Sequence, residues 1–388
     1  MEKQVRRRIP FARANITEAE IQEVVDTLRS GWLTTGSKTV RFAEEFRAFI
    51  GARHALPVSS CTAALHLGLL ALGVDPGAEV ITSTFTFVST ATTILHAGAR
   101  PVLVDVDERT LNMDPQRVAD AVTPRTKAII PVHFGGLPCD MAALEQVARD
   151  HNLRILEDAA HAFRARSAGR TVGTIGDATA FSFYATKNLT TGEGGMLTTN
   201  DANVAATVET LTLHGMSRDA WKRYTGAGSW WYDVTAPGYK YNLSDLQAAI
   251  GLHQLRRAED LQRTRTWLAE AYRQRLERLP FVQLPALPPS GDEHAWHLFP
   301  IRLRPNARIG RDRLIETLQE RGVSTSVHFI PVHMHSFYRA AMGHRPGDFP
   351  NAEQAYASIV SLPFHTLMTE DDVDYVVDQI REAERAGA

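Results

Sequence analysis

A chain of 388 residues is long enough for two packed domains, or for one large domain with a smaller appendage, and it can bury a cofactor. With 44% apolar and 22% charged residues it reads as a soluble globular protein, which excludes disordered and fibrous classes. Its 42 basic and 44 acidic side chains leave a net charge of -2, so no global field draws it to nucleic acid or an anionic membrane, and any phosphate recognition must be local.

The opening MEKQVRRRIP carries an arginine run with no apolar stretch behind it, and residues 1–16 read as an N-terminal arm. From 17 to about 250 the pattern predicts one large domain. Its strand candidates are HALPVSS, EVITSTF, RPVLVDVD, TKAIIPVHF, LRILEDA and ATAFSFYA, with GGMLTTN after a glycine turn. Between them TAALHLGLLALG, VSTATTILHAG and DMAALEQVARDHN place apolar residues at helical spacing and end at Gly or Asn. That alternation predicts βαβ winding around a mostly parallel sheet. No segment approaches the roughly 20 apolar residues of a membrane span. The two cysteines, Cys61 and Cys139, have no metal-ligand spacing and cannot staple a chain of this size, which fits a reducing, cytoplasmic setting.

Ser244 and Gln247 form a capping-box pair, and the stripe Leu261, Leu268, Tyr272, Leu276 and Leu279 predicts a long linking helix. LPALPPSGDE is a proline-rich break. Beyond it WHLFPIRL, a helix around RDRLIETLQERG, and VSTSVHFIP predict a smaller α+β domain over 251–388.

Three elements carry chemistry. LRILEDAAH delivers Glu157, Asp158 and His161 to the C-terminal end of a buried strand, where open α/β sheets bind ligands, although an Asp there can equally cap the next helix. FSFYATKNLTTGEGGM ends an aromatic strand in Lys187 just before a glycine-rich turn. Together, Lys187 and Asp158 match the needs of pyridoxal 5'-phosphate (PLP): an amine to bind its aldehyde carbon and a carboxylate to keep its pyridine nitrogen protonated. SSCTAALHLGLL sets small polar residues at a helix start, a local phosphate site or simply a cap by Ser59, Ser60 or Thr62.

The stretches SGWLTTG, SSCTAAL, TFTFVST, PVLVDVD, TKAIIPVH, LEDAAHA, FSFYATKNLTTGEGG, LHG, PGYKYNLSDLQAAIG and SVHFIPVH, together with HAWHLF, resemble the DegT/DnrJ/EryC1/StrS sugar aminotransferases. The resemblance implies the type I PLP-dependent transferase (aspartate aminotransferase-like) α/β fold: a large mostly parallel sheet domain plus a smaller α+β C-terminal domain. It implies that Lys187 holds the cofactor covalently and that Asp158 meets the pyridine nitrogen. Phe87 would stack on the ring and His161 stand near the ring oxygen. Thr62 and Ala63, beside Cys61, would bind the phosphate through backbone N–H groups, with Ser182 adding a hydroxyl. Asn242 or Lys240 would complete that site from the partner subunit of a homodimer. His328, Phe329, His214 and Thr35 are the implied substrate contacts.

The implied reaction is ping-pong transamination. L-glutamate leaves as 2-oxoglutarate, pyridoxamine 5'-phosphate (PMP) is the intermediate form, and a nucleotide-linked sugar ketone receives the nitrogen. A related dehydratase branch has histidine in place of the lysine, so Lys187 argues for transamination. The run Ser326–His333 resembles members acting on 4-keto sugars, of the UDP-4-amino-4-deoxy-L-arabinose or dTDP-4-amino-4,6-dideoxyhexose type. A 3-keto sugar nucleotide or scyllo-inosose aminotransferase is the alternative. A dehydrogenase would open on G-x-G-x-x-G, which does not occur, and a non-catalytic regulator would lack Lys187 or carry a basic DNA-binding element. His328, His333 and His335 have spacing that can chelate, but no Cys or acidic ligand stands near them in sequence, and no metal is expected.

Overall fold

The computed structural model describes residues 7–216 and 231–387. Helices α1 (Glu18–Ser30) and α2 (Ser37–Ile50) precede strand β1 (His54–Val58). Then alternate α3 (Cys61–Ala71), β2 (Glu79–Ser83), α4 (Val88–His96), β3 (Arg100–Val104), α5 (Pro115–Asp120), β4 (Thr126–Ile130), α6 (Met141–His151) and β5 (Arg154–Asp158). A short hairpin, β6 (Arg166–Ser167) and β7 (Arg170–Thr171), leads to β8 (Ala178–Ser182), β9 (Gly195–Thr199) and α7 (Ala202–Thr212).

The large sheet has seven strands in the order β1-β9-β8-β5-β4-β2-β3. Pairs β2/β3, β2/β4, β4/β5 and β5/β8 are parallel, whereas β9 runs antiparallel to both β8 and β1. Each expected strand forms, because each is a short apolar run bounded by a turn. Helix α3 packs on β8 and β9 and between neighbouring helices, so it is buried almost all round. Its approach to the sheet is so close that a Cβ at Gly68 would lie 2.8 Å from Leu156 Cδ1.

The expected long linking helix is two helices. α8 (Asp245–Arg256) carries the predicted Ser244–Gln247 capping box, and α9 (Ala258–Leu276) follows a break at Arg257 (φ -97°, ψ 4°). The break changes the core: Ala248, Leu252 and Leu255 pack with the aromatic cluster around Phe42, Phe46 and Phe183, whereas Leu268, Tyr272 and Leu276 pack with the C-terminal helices. The latter are α10 (Arg311–Glu320) and α13 (Glu370–Ala386), whereas α11 (Ser336–Met342) and α12 (Pro350–Ser358) pack with Phe85 and Phe134 of the large unit. α13 buries Val373, Val376, Val377 and Ile380 beside α9, each fully buried side chain contributing about 1.5–3 kcal/mol.

A three-stranded antiparallel sheet, β10 (Val282–Gln283), β11 (Pro300–Leu303) and β12 (Ile359–Ser361), forms the second unit. VSTSVHFIP does not supply its third strand. That segment makes only single bridges, Val323 to Ile9 and Ser326 to Ser361, because its Val327 and Phe329, and Val332 just beyond it, pack in the cluster of Phe85 and Leu103 of the large unit. The Ile9 bridge stitches the N-terminal arm onto the smaller unit.

Candidate active site

The site is bordered by the C-terminal ends of β1, β5 and β8, where βαβ winding gathers ligand-binding residues, and by the start of the antiparallel β9. Register brings the pieces together: Asp158 of β5 pairs with Ala180, Ser182 of β8 with Gly195, and Val58 of β1 also with Gly195. Gly195 must be glycine, since a Cβ there would meet the Ser60 carbonyl carbon at 2.5 Å and Cys61 N at 2.7 Å. The last glycine of GEGG therefore lets the start of α3 lie flat on β9.

A cavity of about 500 Å³ results. Lys187, Asp158, His161, Ser182, Cys61, Thr62, Phe87, His328 and Phe329 all line it. Asp158 is 5% exposed, and its Oδ2 accepts from Thr90 Oγ1 at 2.8 Å while Oδ1 accepts from Ala160 N at 3.1 Å. Burial pushes its carboxyl above the ordinary value, against the pull of those donors and of Lys187. Burial likewise brings Lys187 down to about 8, with Asp158 resisting. The Cys61 thiol lies 3.6 Å from the Ala180 carbonyl oxygen and is held protonated, chiefly by burial and then by Asp158.

The histidines are neutral. Burial drives His161 well below its ordinary range, aided by Lys187, and His328 falls to about 4 for the same reasons. Gly135 N–H donates to His161 Nδ1 at 3.3 Å, so the ring's own proton sits on Nε2. His328 stacks on Phe11 with centroids 5.5 Å apart, and its Nδ1 lies 2.9 Å from Ser361 Oγ. Phe87, 60% exposed, caps α4 at the cavity mouth 6.2 Å from Phe329.

Four expected contacts lie outside this cavity within one chain, two of them, Asn242 and Lys240, being the ones expected from the partner subunit. Thr35 and Asn242 meet through Asn242 Nδ2 and Thr35 Oγ1 (2.7 Å) on the wall of a separate surface cavity of about 880 Å³. Lys240 bridges Leu213, and His214 N–H donates to the Tyr239 carbonyl at 2.7 Å. Within one chain, Thr35 and His214 are thus not brought to Lys187: neither lines its cavity, Thr35 being tied to the Tyr239–Leu243 segment and His214 to the turn after α7. Ala63 also departs from expectation, since its N–H donates to the Ser60 side chain at 3.0 Å. The amides of α3 left without an intrahelical partner or that cap are those of Cys61 and Thr62. His333 is engaged by Thr84 Oγ1 at 2.7 Å and Glu353 at 3.2 Å, away from His328.

Sequence reasoning missed His297, Phe11, Tyr184 and Thr90. The first three line the cavity, and the fourth holds Asp158. His297 stood in HAWHLF, but nothing in its spacing marked it. Phe11 arrives on the arm, a long-range placement without a local signal.

These residues fit PLP. A buried carboxylate with acceptor capacity facing a cavity, a depressed lysine amine beside it, and two free amides at the first turn of an 11-residue helix suit its ring nitrogen, aldehyde and phosphate. A family model described as the DegT/DnrJ/EryC1/StrS aminotransferase family matches residues 14–381. The chain belongs to that family. It is 52% identical over 376 residues to the spore coat polysaccharide biosynthesis protein SpsC of Bacillus subtilis, covering 96% of each chain. The sugar aminotransferase Spr1654 of Streptococcus pneumoniae superimposes in its PMP form with a TM-score of 0.91 at 34% identity, covering 98% of this chain and all (100%) of that one. DesV of S. venezuelae, solved with a ketimine intermediate, does so with a TM-score of 0.87 at 34% identity, covering 97% of this chain and 98% of that one. As a DegT/DnrJ/EryC1/StrS member with the fold of these neighbours, the protein is a PLP-dependent sugar aminotransferase. Among the described residues no helix is long and apolar enough to cross a membrane.

Proposed function

We propose that the protein transfers the amino group of L-glutamate to the C4 ketone of a nucleotide-linked 4-keto sugar, in two half-reactions sharing one site. The observation that carries this reading is the convergence of Lys187 and Asp158 in one cavity that also gathers hydroxyl-bearing side chains, imidazoles and aromatic surface. PLP, when bound, supplies the electron sink that makes a carbon–hydrogen bond next to nitrogen acidic.

The chain's residues divide the work. Asp158 would hold a proton at the ring nitrogen. His161, its proton fixed on Nε2, would donate to the ring oxygen. Cys61 and Thr62 amides and the Ser182 hydroxyl would bind the phosphate, and Phe87 would cover the ring face. Lys187 Nζ would hold the cofactor and, once freed by the donor amine, would be the base that takes the donor's Cα proton; with the sugar the same amine would set a proton on the carbon that receives the nitrogen. An amine brought down to about 8 suits that role better than an ordinary lysine, since a larger fraction of it is unprotonated near neutral pH.

Among the described residues, Lys187 is the only lysine or arginine lining the cavity, yet glutamate's carboxylates and a sugar-linked diphosphate need cations. That shortfall supports a homodimer in which Lys240 or Asn242 of the partner subunit completes the site. The cavity holding Thr35 and Asn242 is bordered by exposed Trp32 and Val40, an apolar face suited to a second copy. The resemblance of Ser326–His333 to 4-keto members favours C4.

The test assays purified enzyme with glutamate against dTDP-4-keto-6-deoxyglucose, a UDP-4-keto-pentose, a 3-keto sugar nucleotide and scyllo-inosose. Amination of the 4-keto compounds is expected, and product from inosose alone would overturn the substrate class. Lys187→Ala is expected to abolish both turnover and the visible absorbance of the lysine-linked cofactor.

A further inference from the structure

His297 has no role in the mechanism above, although it lines the cavity and is buried. Its chemistry is fixed by the residue after Lys187. The Asn188 side-chain NH2 donates to the Ala295 carbonyl at 2.7 Å, which leaves the amide oxygen Oδ1 as an acceptor. Oδ1 lies 3.1 Å from His297 Nδ1, so Nδ1 carries the ring proton and Nε2 keeps its lone pair. His297 N–H donates to the Gly135 carbonyl at 2.9 Å, and Gly135 N–H in turn fixes His161 in the opposite tautomer. Two imidazoles with centroids 4.3 Å apart thus present opposite polarity: His161 Nε2 as a donor, His297 Nε2 as an acceptor.

Burial, then His161 and Lys187, keeps the His297 ring neutral. A neutral lone pair repels carboxylate and phosphate oxygens and attracts an O–H. The same cavity is lined by Phe11, Leu298, Phe329 and Phe364, apolar faces of the kind that carbohydrate C–H surfaces pack on. We propose that His297 is a specificity-determining residue whose Nε2 accepts a hydroxyl of the bound sugar beside the ketone carbon. The inference rests on the reading that a keto sugar is the acceptor, and it adds what recognises the hydroxyl.

The experiment uses the PLP-loaded enzyme and its His297→Phe and His297→Gln variants, each checked for the native absorbance of the lysine-linked cofactor. The two half-reactions are followed separately by that absorbance, and binding of the nucleotide-linked amino sugar by calorimetry. His297→Phe should lower kcat/KM of the sugar half-reaction, and weaken product binding, roughly tenfold or more, the cost of leaving a buried hydroxyl unpaired. The glutamate half-reaction should stay within about twofold, and His297→Gln, which keeps an acceptor, should recover most of the loss. With a 3-deoxy sugar analogue, native enzyme and His297→Phe should become equal. Equal losses in both half-reactions, or a defect that persists with the deoxy analogue, would overturn the proposal. Native enzyme that aminates no keto sugar nucleotide would overturn the substrate reading itself, whereas native turnover with an unaltered His297→Phe would overturn this inference alone.

Discussion

Glu157 and Asp158 are neighbours on β5, carry the same functional group, and project to opposite sides of the sheet. Glu157 is fully buried and accepts from His133 Nε2 at 3.0 Å, Thr179 Oγ1 at 2.7 Å and Gly176 N at 2.9 Å. Cys139 N–H donates to His133 Nδ1 at 3.0 Å, which directs the imidazole proton to the carboxylate. Burial alone would raise Glu157, but those donors outweigh it and leave it below its ordinary value. Asp158 has fewer donors and a cavity in front of it, and burial wins there. A carboxylate saturated by the protein is architecture; one left short of donors is completed by a ligand.

The largest test of that contrast is Asp158→Asn, which keeps the shape and the Thr90 contact but cannot hold a charge. It should lower kcat/KM about ten-thousandfold, about 5.5 kcal/mol in the barrier, with PLP absorbance and steady-state kinetics as the readout. Glu157→Ala should do the reverse. Leaving His133 and two further donors buried without their acceptor should lower unfolding free energy by about 3–5 kcal/mol in urea denaturation, with near-native activity per folded molecule. Native-like stability there would erase the distinction.

Stability against pH sharpens it. The depressed pKa of Glu157 makes a contribution present above its unfolded value and lost as pH falls through the folded one. The raised pKa of Asp158 has the opposite sign: stability declines as pH rises from the unfolded to the folded value. Cofactor-free Asp158→Asn should therefore be no less stable than the native protein at pH 7, and Glu157→Gln should be less stable at pH 7 and converge with it in acid. Lys187 gives a third measure: in cofactor-free protein its labelling by an amine-directed reagent should rise with a midpoint near pH 8 rather than about 10.4. The smallest effect belongs to Thr90→Val, which removes one donor from Asp158 and should reduce turnover roughly tenfold, about 1.4 kcal/mol, with little change in stability.

Most strands and helices of the large unit were legible because their signals are local: apolar runs bounded by turns, Asp140 capping α6, and Asn152 in the left-handed conformation at its end. The break at Arg257 was not, since the apolar stripe continues across it and only the change of core on either side bends the chain. Nor was the split role of Asp245, which the sequence places in the first turn of α8. Its carboxylate accepts from Gly36 N, Thr39 N and Thr39 Oγ1 at 2.8, 2.8 and 2.7 Å, and so anchors the start of α2.

By itself, then, the sequence determined the βαβ winding, the Lys187–Asp158 pair and the glycine turn beside them, because strand, turn and cofactor chemistry are written in contiguous residues. Only the tertiary structure decided how Glu157 is saturated, which amides of α3 stay free, and which tautomers His161 and His297 adopt. Those depend on burial and on hydrogen-bond partners far away in the chain, and neither leaves a local mark in the sequence.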